Sequence, residues 1–205
     1  MASQTTVATA SYSYELRFDA GRICLDLLAT AHPDERLGAV EPLRAWIAAS
    51  GLVPGGTALR HVDGSWVPRF RELRALTGRL TGQLVHNPPA ADPRSLDQAL
   101  TRLNELARPA PPATRAVRAP DGTLVRELHG PPECAALLGA VARDAVELLT
   151  DPDARACLRQ CEGDNCPIVY LDTSRGRRRR WCSSEICGNR ERVARHRRRA
   201  ALARA

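Results

Sequence analysis

The chain has 205 residues, a hydrophobic fraction of 43%, an aromatic fraction of 4% and a formal net charge of +7. This length provides for one ordinary core plus a small appended unit. The sequence contains no run of eighteen apolar residues, and its first fifteen residues lack the basic and apolar regions of a secretory signal. We therefore expect a cytoplasmic protein that neither spans a membrane nor is secreted.

The positive charge is confined to the C-terminal end of the chain. All 30 cationic residues are Arg, and residues 174–205 hold twelve of them against two Glu, a net charge of +10. Residues 1–173 have a net charge of −3. A basic tail of this kind is either a solvated, disordered arm or an element that binds a polyanion.

The first part of the chain is predicted to be mainly helical. We expect residues 1–11 to form a disordered leader and residues 12–150 to form the first domain. The peptides YELRFD and ICLDLLAT flank Gly21 and predict a short strand, a turn, and then a second strand or the start of a helix. Three amphipathic helices follow, over residues 41–51, from Pro68 onwards, and from the cap pair Asp92-Pro93 onwards.

A hairpin and two further helices are predicted after a short Pro-rich linker. The peptide TRAVRAPDGTLVREL alternates polar and apolar residues around Asp121-Gly122, which predicts a β-hairpin. Residues 131–149 are the most apolar helix and the predicted centre of the core. Asp151-Pro152 begins a helix that we expect to run towards Cys161. The predicted fold is therefore α+β: a mainly helical N-terminal domain with small β-hairpins, and a small C-terminal domain of residues 151–205.

Four of the seven cysteines have the spacing C-x4-C-x15-C-x4-C, namely Cys161, Cys166, Cys182 and Cys187. Zinc takes four ligands in a tetrahedron, and two cysteine pairs joined by a hairpin supply them without long loop closure. We expect PIVYLD and RRRRW to form the two strands of that hairpin. So small a unit has few apolar residues, and metal binding supplies the folding energy that its core cannot. Four thiolates leave no open position for catalysis, so the predicted role of zinc is structural.

The other three cysteines are not predicted to bind metal. Cys24 and Cys134 lie in apolar segments and are typical of small buried residues. Cys157 stands four residues before Cys161 on the predicted helix. We take Cys161 as the ligand because a polar turn follows it, and we expect Cys157 to face the contact between the domains.

The residues after Cys187 predict a basic helix that runs from about residue 189 to 204. The apolar residues of this helix form only a thin stripe, so packing against a core does not explain why the helix is there. Arginine suits both phosphates and the edge of guanine. Asn189 either caps this helix or contacts a base, and Trp181 either shields the thiolates or stacks on a base. The candidate nucleic-acid contacts are Arg175, Arg177, Arg178, Arg179, Arg180, Asn189, Arg190, Arg192, Arg195, Arg197, Arg198 and Arg199.

Two parts of the sequence resemble known families. The segment from Cys161 to about Arg199, with YLDTS, the arginine run, WCS and CGNR, resembles the CGNR-type zinc finger. FDAGRICLDLLAT followed by LRAWI resembles the ABATE domain, which accompanies this finger in bacterial stress-induced transcription regulators. The resemblance implies a helical N-terminal domain and a zinc domain that binds DNA, with Cys161, Cys166, Cys182 and Cys187 as metal ligands.

Our leading functional hypothesis is a zinc-dependent, DNA-binding transcriptional regulator associated with the bacterial nucleoid. Duplex DNA is its expected partner, and the N-terminal domain forms a homodimer or senses a signal. Two alternatives stay open: an interaction module that docks on RNA polymerase or another transcription protein, and an RNA-binding factor. A secondary hypothesis is that oxidation of the four cysteines ejects zinc and releases DNA.

An enzyme is not predicted. The five His residues are scattered, and no phosphate-binding loop or activated nucleophile is recognisable. His32, Asp34 and Glu35 form a small polar cluster that either lines a pocket or lies in a solvated loop.

Overall fold

The computed structural model describes residues 16–86 and 92–202, which form seven helices and four short strands. The predicted leader, residues 1–11, lies outside this part of the chain. The helices are α1 (Ile23–Ala29), α2 (Val40–Ala49), α3 (Trp66–His86), α4 (Pro93–Ala107), α5 (Cys134–Thr150), α6 (Pro152–Ala156) and α7 (Cys187–Leu202). The strands are β1 (Thr114–Arg118), β2 (Leu124–Leu128), β3 (Leu158–Gln160) and β4 (Val169–Leu171). The predicted α+β class is confirmed.

Helix α5 lies at the centre of the core, as its apolar sequence predicts. Its Leu137, Leu138 and Val141 are fully buried, and it packs against α1, α3 and α4. The carboxylate of Asp144 on α5 accepts the backbone N–H of Cys24 at 3.0 Å and pairs with Arg22 at 2.8 Å. These bonds fix the start of α1, because the first N–H groups of a helix have no partner within it.

Local capping signals predicted the start of α4 and the end of α2. Asp92 caps α4 by accepting the N–H of Arg94, and Gly51 follows α2 with a φ of +79°. Helix α3 begins at Trp66 and not at Pro68. Asp63 accepts the N–H and hydroxyl of Ser65, and this turn starts the helix early enough to place Pro68 in its first turn, where proline is tolerated.

The hairpin predicted around Asp121-Gly122 is present. Strands β1 and β2 pair antiparallel, with Ala116 opposite Arg126. Gly122 has a φ of +86°, which the tight turn requires. Most of the hairpin is exposed, and Leu124 at its tip retains 71% of its accessible surface.

Three sequence-based predictions of local structure were wrong. Residues 16–19 form no strand; their polar groups bind the C-terminal part of the chain instead. The helix after Asp151 ends at Ala156, because the next residues pair as β3 with β4. The arginine run is not a strand, because β4 pairs with β3. One backbone hydrogen bond, from the N–H of Glu162 to the carbonyl of Arg180, connects the run to the loop that follows β3.

The C-terminal elements pack directly on the N-terminal helices. The N–H of Leu171 donates to the carbonyl of Ala20 at 2.8 Å. Gly21 has a φ of +88°, and a Cβ there would lie 3.2 Å from the Cβ of Leu171. This close approach requires glycine. The division into domains at residue 150 stays a prediction.

Candidate metal centre and basic surface

The structure brings the four predicted cysteines into one cluster. The sulfur atoms of Cys161, Cys166, Cys182 and Cys187 all lie within 4.8 Å of one another. Two of the separations are 3.6 Å, from Cys166 to Cys182, and 3.5 Å, from Cys182 to Cys187. A tetrahedral zinc ion bound at ~2.3 Å would hold its sulfur ligands about 3.8 Å apart. The cluster therefore fits a four-coordinate zinc ion, and within the described residues no other group of this kind occurs.

The first cysteine pair lies on the loop between β3 and β4. The N–H of Cys161 donates to the carbonyl of Ile168 at 2.9 Å, and the N–H of Cys166 donates to Gly163 at 3.0 Å. Asn165 has a φ of 56°, which folds the loop back towards Cys161. A Cβ on Gly163 would lie 3.2 Å from the Cβ of Cys187 and 3.4 Å from the sulfur of Cys161. A side chain at this position would therefore require Cys187 or the loop to shift by a few tenths of an ångström.

The second pair connects the arginine run to α7. Residues 183–186 separate the two cysteines and form a turn. The N–H of Gly188, just after the second cysteine, donates to the Ser183 carbonyl at 2.9 Å. Cys187 is the first residue of α7. The backbone of Gly188 does not have a positive φ. This glycine lies against half-buried Trp181, and a Cβ there would meet the ring at 3.5 Å, an ordinary van der Waals contact.

Hydrogen bonds and burial act unequally on the thiols of Cys161, Cys166 and Cys182. Burial opposes ionisation of Cys161, but N–H groups of Cys182 and Gly163 donate to its sulfur at 3.3 and 3.4 Å and hold its pKa below the ordinary value. Burial raises the pKa of Cys166 to about 11. Burial also raises the pKa of Cys182, although Arg17 donates to its sulfur at 3.2 Å. Four thiolates this close need a cation between them, and this electrostatic demand agrees with a metal site.

The remaining cysteines lie outside the cluster. Cys24 and Cys134 are buried in the helical core, and burial raises the pKa of each thiol. Cys157 is the C-cap of α6, and its carbonyl accepts the N–H of Asp172 at 2.8 Å. Because α6 ends there, Cys157 and Cys161 do not share a helix, contrary to our prediction. Cys157 is buried and belongs to the hydrophobic core.

Asp172 organises the loop that carries the first group of arginines. Its buried carboxylate accepts the N–H and hydroxyl of Ser174 at 3.0 and 2.6 Å, and the N–H of Arg179 at 2.9 Å. These bonds hold the pKa of Asp172 below its ordinary value against the opposing effect of burial. Sequence reasoning assigned Asp172 no role, although the Asp-Thr-Ser sequence is a recognisable turn signal.

Arg179 differs from its neighbours because its guanidinium points into the protein. It donates to the carbonyls of Trp181 at 2.8 Å and of Asp19 at 3.1 Å, and also to the carbonyl of Cys182. Its terminal carbon lies 4.6 Å from the centre of the Tyr170 ring. The structure thus gives Arg179 an internal role in place of the predicted nucleic-acid contact.

The other arginines of this loop are exposed. Arg180 pairs with Glu162 at 2.6 Å and lies over the Trp181 ring at 5.4 Å. Trp181 is thus held between this guanidinium and Gly188, beside the cysteine cluster. The exposed arginines that precede Arg179 are Arg175, Arg177 and Arg178.

Helix α7 carries the second group of arginines, and all six are exposed. Arg198 pairs with Glu191 at 2.8 Å, and Arg192 reaches the Ser184 carbonyl at 3.4 Å. Asn189 is exposed in the first turn of α7 and lies two residues after its start, so it is not the N-cap. The remaining arginines of the group are Arg190, Arg195, Arg197 and Arg199.

Of the polar cluster predicted at His32, Asp34 and Glu35, only His32 lines the cavity between the helical core and the cysteine cluster. Glu35 pairs with Arg74 at 2.5 Å and with Arg71 at 3.2 Å, and the bond from Arg74 lowers the pKa of Glu35 to about 2. Sequence reasoning missed Arg17 and Asp19, whose side chains form an ion pair of 2.9 Å beside the cluster.

Models of two known families match different parts of the chain. The ABATE model, described as putative stress-induced transcription regulator, matches residues 21–152, which is more than half of the chain. The CGNR zinc finger model matches residues 157–200, including all four clustered cysteines. Both resemblances found in the sequence are thereby confirmed. No curated protein matches the chain significantly, and no helix of the described residues is long and apolar enough to cross a bilayer.

Proposed function

The chain belongs to the ABATE family and carries a CGNR zinc finger, and on this premise we propose that it is a zinc-dependent, DNA-binding transcriptional regulator. Neither family is an enzyme family. The observation that carries the proposal is that the cysteine cluster joins two groups of exposed arginines. Cys182 lies two residues after Arg180, the last arginine of the loop, and Cys187 begins the basic helix α7.

The proposed metal is a structural zinc ion held by Cys161, Cys166, Cys182 and Cys187. When bound, zinc neutralises part of the thiolate charge and links the β3–β4 loop to the start of α7. The four cysteines complete the tetrahedron, so no ligand position is left for a substrate. The polypeptide then holds both arginine groups in a fixed relation, because Cys182 lies two residues after the first group and Cys187 begins the helix that carries the second.

The proposed partner of this surface is duplex DNA. Residues 174–205 carry a net charge of +10, which a packed core does not require. On helix α7 even the apolar Val193 is exposed, and exposed arginines surround it. This surface of the helix therefore suits a phosphate-lined groove. The loop residues Arg175, Arg177 and Arg178 are proposed to contact phosphates. Arg180 is proposed to contact a phosphate as well, if DNA displaces Glu162 from its ion pair with this arginine.

The first turn of α7 is the proposed place of base contacts. Asn189 and Arg190 are both exposed there, and the N-terminal end of a recognition helix commonly enters the major groove. Asparagine suits adenine and arginine suits guanine. Arginines 192, 195, 197, 198 and 199 are proposed to follow the phosphate backbone. Dimerisation through the N-terminal helices remains a prediction.

The experiment is a DNA-binding titration of the zinc-loaded chain over a range of salt concentrations. If about six arginines meet phosphates, log affinity falls against log salt with a slope of roughly −5. The double variant R177E/R178E should weaken DNA binding and reduce the magnitude of the slope by about two. The control is R94Q on α4, which should change neither the affinity nor the slope. A salt-independent affinity, or preferential capture of an acidic protein or folded RNA over duplex DNA, refutes the proposal.

A further inference from the structure

Arg17 contacts the cysteine cluster from the N-terminal end of the chain. A terminal nitrogen of its guanidinium, Nη2, donates to the sulfur of Cys182 at 3.2 Å, across 165 positions of sequence. Cys182 is fully buried, so the sulfur that receives this bond is shielded from water. The donors to the sulfur of Cys161, by contrast, are backbone N–H groups, which carry no net charge.

The guanidinium of Arg17 is held in place by Asp19. The same Nη2 atom donates to both carboxylate oxygens of Asp19, at 3.2 and 2.9 Å. The Arg17 side chain is 14% exposed, whereas that of Asp19 is 37% exposed. Water therefore screens the carboxylate more strongly than the buried sulfur, and the ion pair leaves part of the arginine charge to act on Cys182.

The burial of Arg17 leaves one of its donors unpaired. Its Nε–H is buried and has no hydrogen-bond partner among the described residues. A buried guanidinium with an unpaired donor destabilises a fold unless further negative charge compensates it. The cysteine cluster supplies such a charge, because a zinc ion with four thiolates has a formal charge of −2.

Further contacts fix the segment that carries Arg17 against the zinc finger. The guanidinium of Arg179 donates to the carbonyls of both Asp19 and Cys182. Strand β4 donates a backbone hydrogen bond to the carbonyl of Ala20 at 2.8 Å. The position of Arg17 beside the sulfur is thus held from several sides, as a contact that orients a metal ligand requires.

We propose that Arg17 is a positioning residue of the metal centre, and that its charge-assisted hydrogen bond to the Cys182 thiolate strengthens the binding of zinc. Contacts behind a metal ligand orient it and offset its charge, and their loss typically weakens metal binding about 10- to 100-fold. The N-terminal part of the chain therefore contributes to the zinc finger without supplying a ligand. This inference rests on the zinc ion of the proposed function, but not on DNA binding.

The first experiment measures the zinc affinity of the full chain by competition with a chelator at pH 7.5. We expect R17M, which removes the charge and the donor, to raise the zinc dissociation constant at least about tenfold. R17K keeps a cation at this position and should lie closer to wild type than to R17M. The control is R22M, because Arg22 is also partly buried and ion-paired, but with Asp144 and Glu147 on α5. R22M should have a dissociation constant within about twofold of wild type.

A spectroscopic measurement separates this role from a merely structural one. Cobalt(II) can replace zinc in a tetrahedral thiolate site, where it gives a sulfur-to-metal charge-transfer band. A hydrogen bond to a thiolate lowers the energy of its lone pairs, so loss of the bond should shift this band to longer wavelength in cobalt-loaded R17M. R17K should shift the band less, and R22M should have the wild-type band even if its melting temperature falls.

Three results would overturn this inference: equal zinc dissociation constants for R17M and wild type, an unchanged cobalt band in R17M, or a loss of affinity in R22M as large as in R17M. R17Q is a second neutral variant, and it decides the question if R17M does not fold. If wild type binds zinc and both neutral variants match it, this inference fails and the proposed function stands. If wild type binds no zinc, both fail, whereas a chain that binds zinc but no DNA refutes the proposed function alone.

Discussion

Replacing Arg179 by alanine should destabilise the protein, whereas the same change at Arg178 should not. The two residues are adjacent in an arginine run, but only Arg179 points inwards. Its guanidinium donates to the carbonyls of Asp19, Trp181 and Cys182 and lies on the Tyr170 ring. Arg178 is exposed.

The expected cost follows from these contacts. A hydrogen bond from a charged donor contributes about 1.5–3 kcal/mol, and a cation–π contact contributes about 1 kcal/mol. The contributions are not additive, and Arg179 is partly exposed, so we expect a total loss of ~3 kcal/mol. That loss reduces the folding equilibrium constant about a hundredfold. R178A should change the free energy of unfolding by less than ~0.5 kcal/mol.

Urea denaturation with saturating zinc measures both free energies of unfolding, and the salt dependence of DNA binding supplies a second readout. R178A should reduce the magnitude of the salt slope by about one. R179A should leave the slope unchanged at temperatures where the variant is folded. Equal stabilities of the two variants, or a reduced slope in R179A, would show that the assignment of Arg179 as an internal residue is wrong.

Three further perturbations test the metal centre and the core. C182S should bind almost no zinc by elemental analysis, whereas C134S should bind about one ion per chain, because Cys134 lies outside the cluster. G163A should raise the zinc dissociation constant, because its Cβ would crowd Cys187 and Cys161, while G130A has open space and should match wild type in a chelator competition. Burial raises the pKa of Asp26 from 3.8 to about 7, so the protonated carboxyl stabilises the folded state relative to the carboxylate. This stabilisation is complete below pH 4 and is lost as the pH rises through 7. Wild type should therefore lose up to ~4 kcal/mol of unfolding free energy that D26N keeps, and identical pH profiles would refute this.

The pH prediction for Asp26 depends on the charges around it. Asp26 is 8% exposed and accepts the N–H of Ala20 at 3.0 Å. That bond and the charge of Arg17 favour the carboxylate, whereas Asp19 and Asp144 disfavour it. Burial outweighs the favourable contacts, so the net pKa is raised. Asparagine can still accept the Ala20 N–H, so D26N isolates the charge.

The amino-acid sequence determined the features that depend on short stretches of chain. The cysteine spacing predicted the cluster, because two pairs with short loops bring four sulfurs together at little entropic cost. Asp92 and Asp151 predicted the starts of α4 and α6, because a cap acts within three residues. The net charge of +10 at the C-terminal end required no fold to be recognised.

The tertiary structure decided what depends on residues far apart in the chain. Strand β4 pairs with β3 and not with the arginine run, since Asp172 folds residues 174–179 into a loop. Arg179 turns inwards because the Asp19 carbonyl, 160 residues earlier, lies within reach. The cavity beside the cysteines likewise exists only where the two parts of the chain meet. Such contacts pair groups with no fixed spacing in sequence, so no local pattern could have predicted which arginine would be internal.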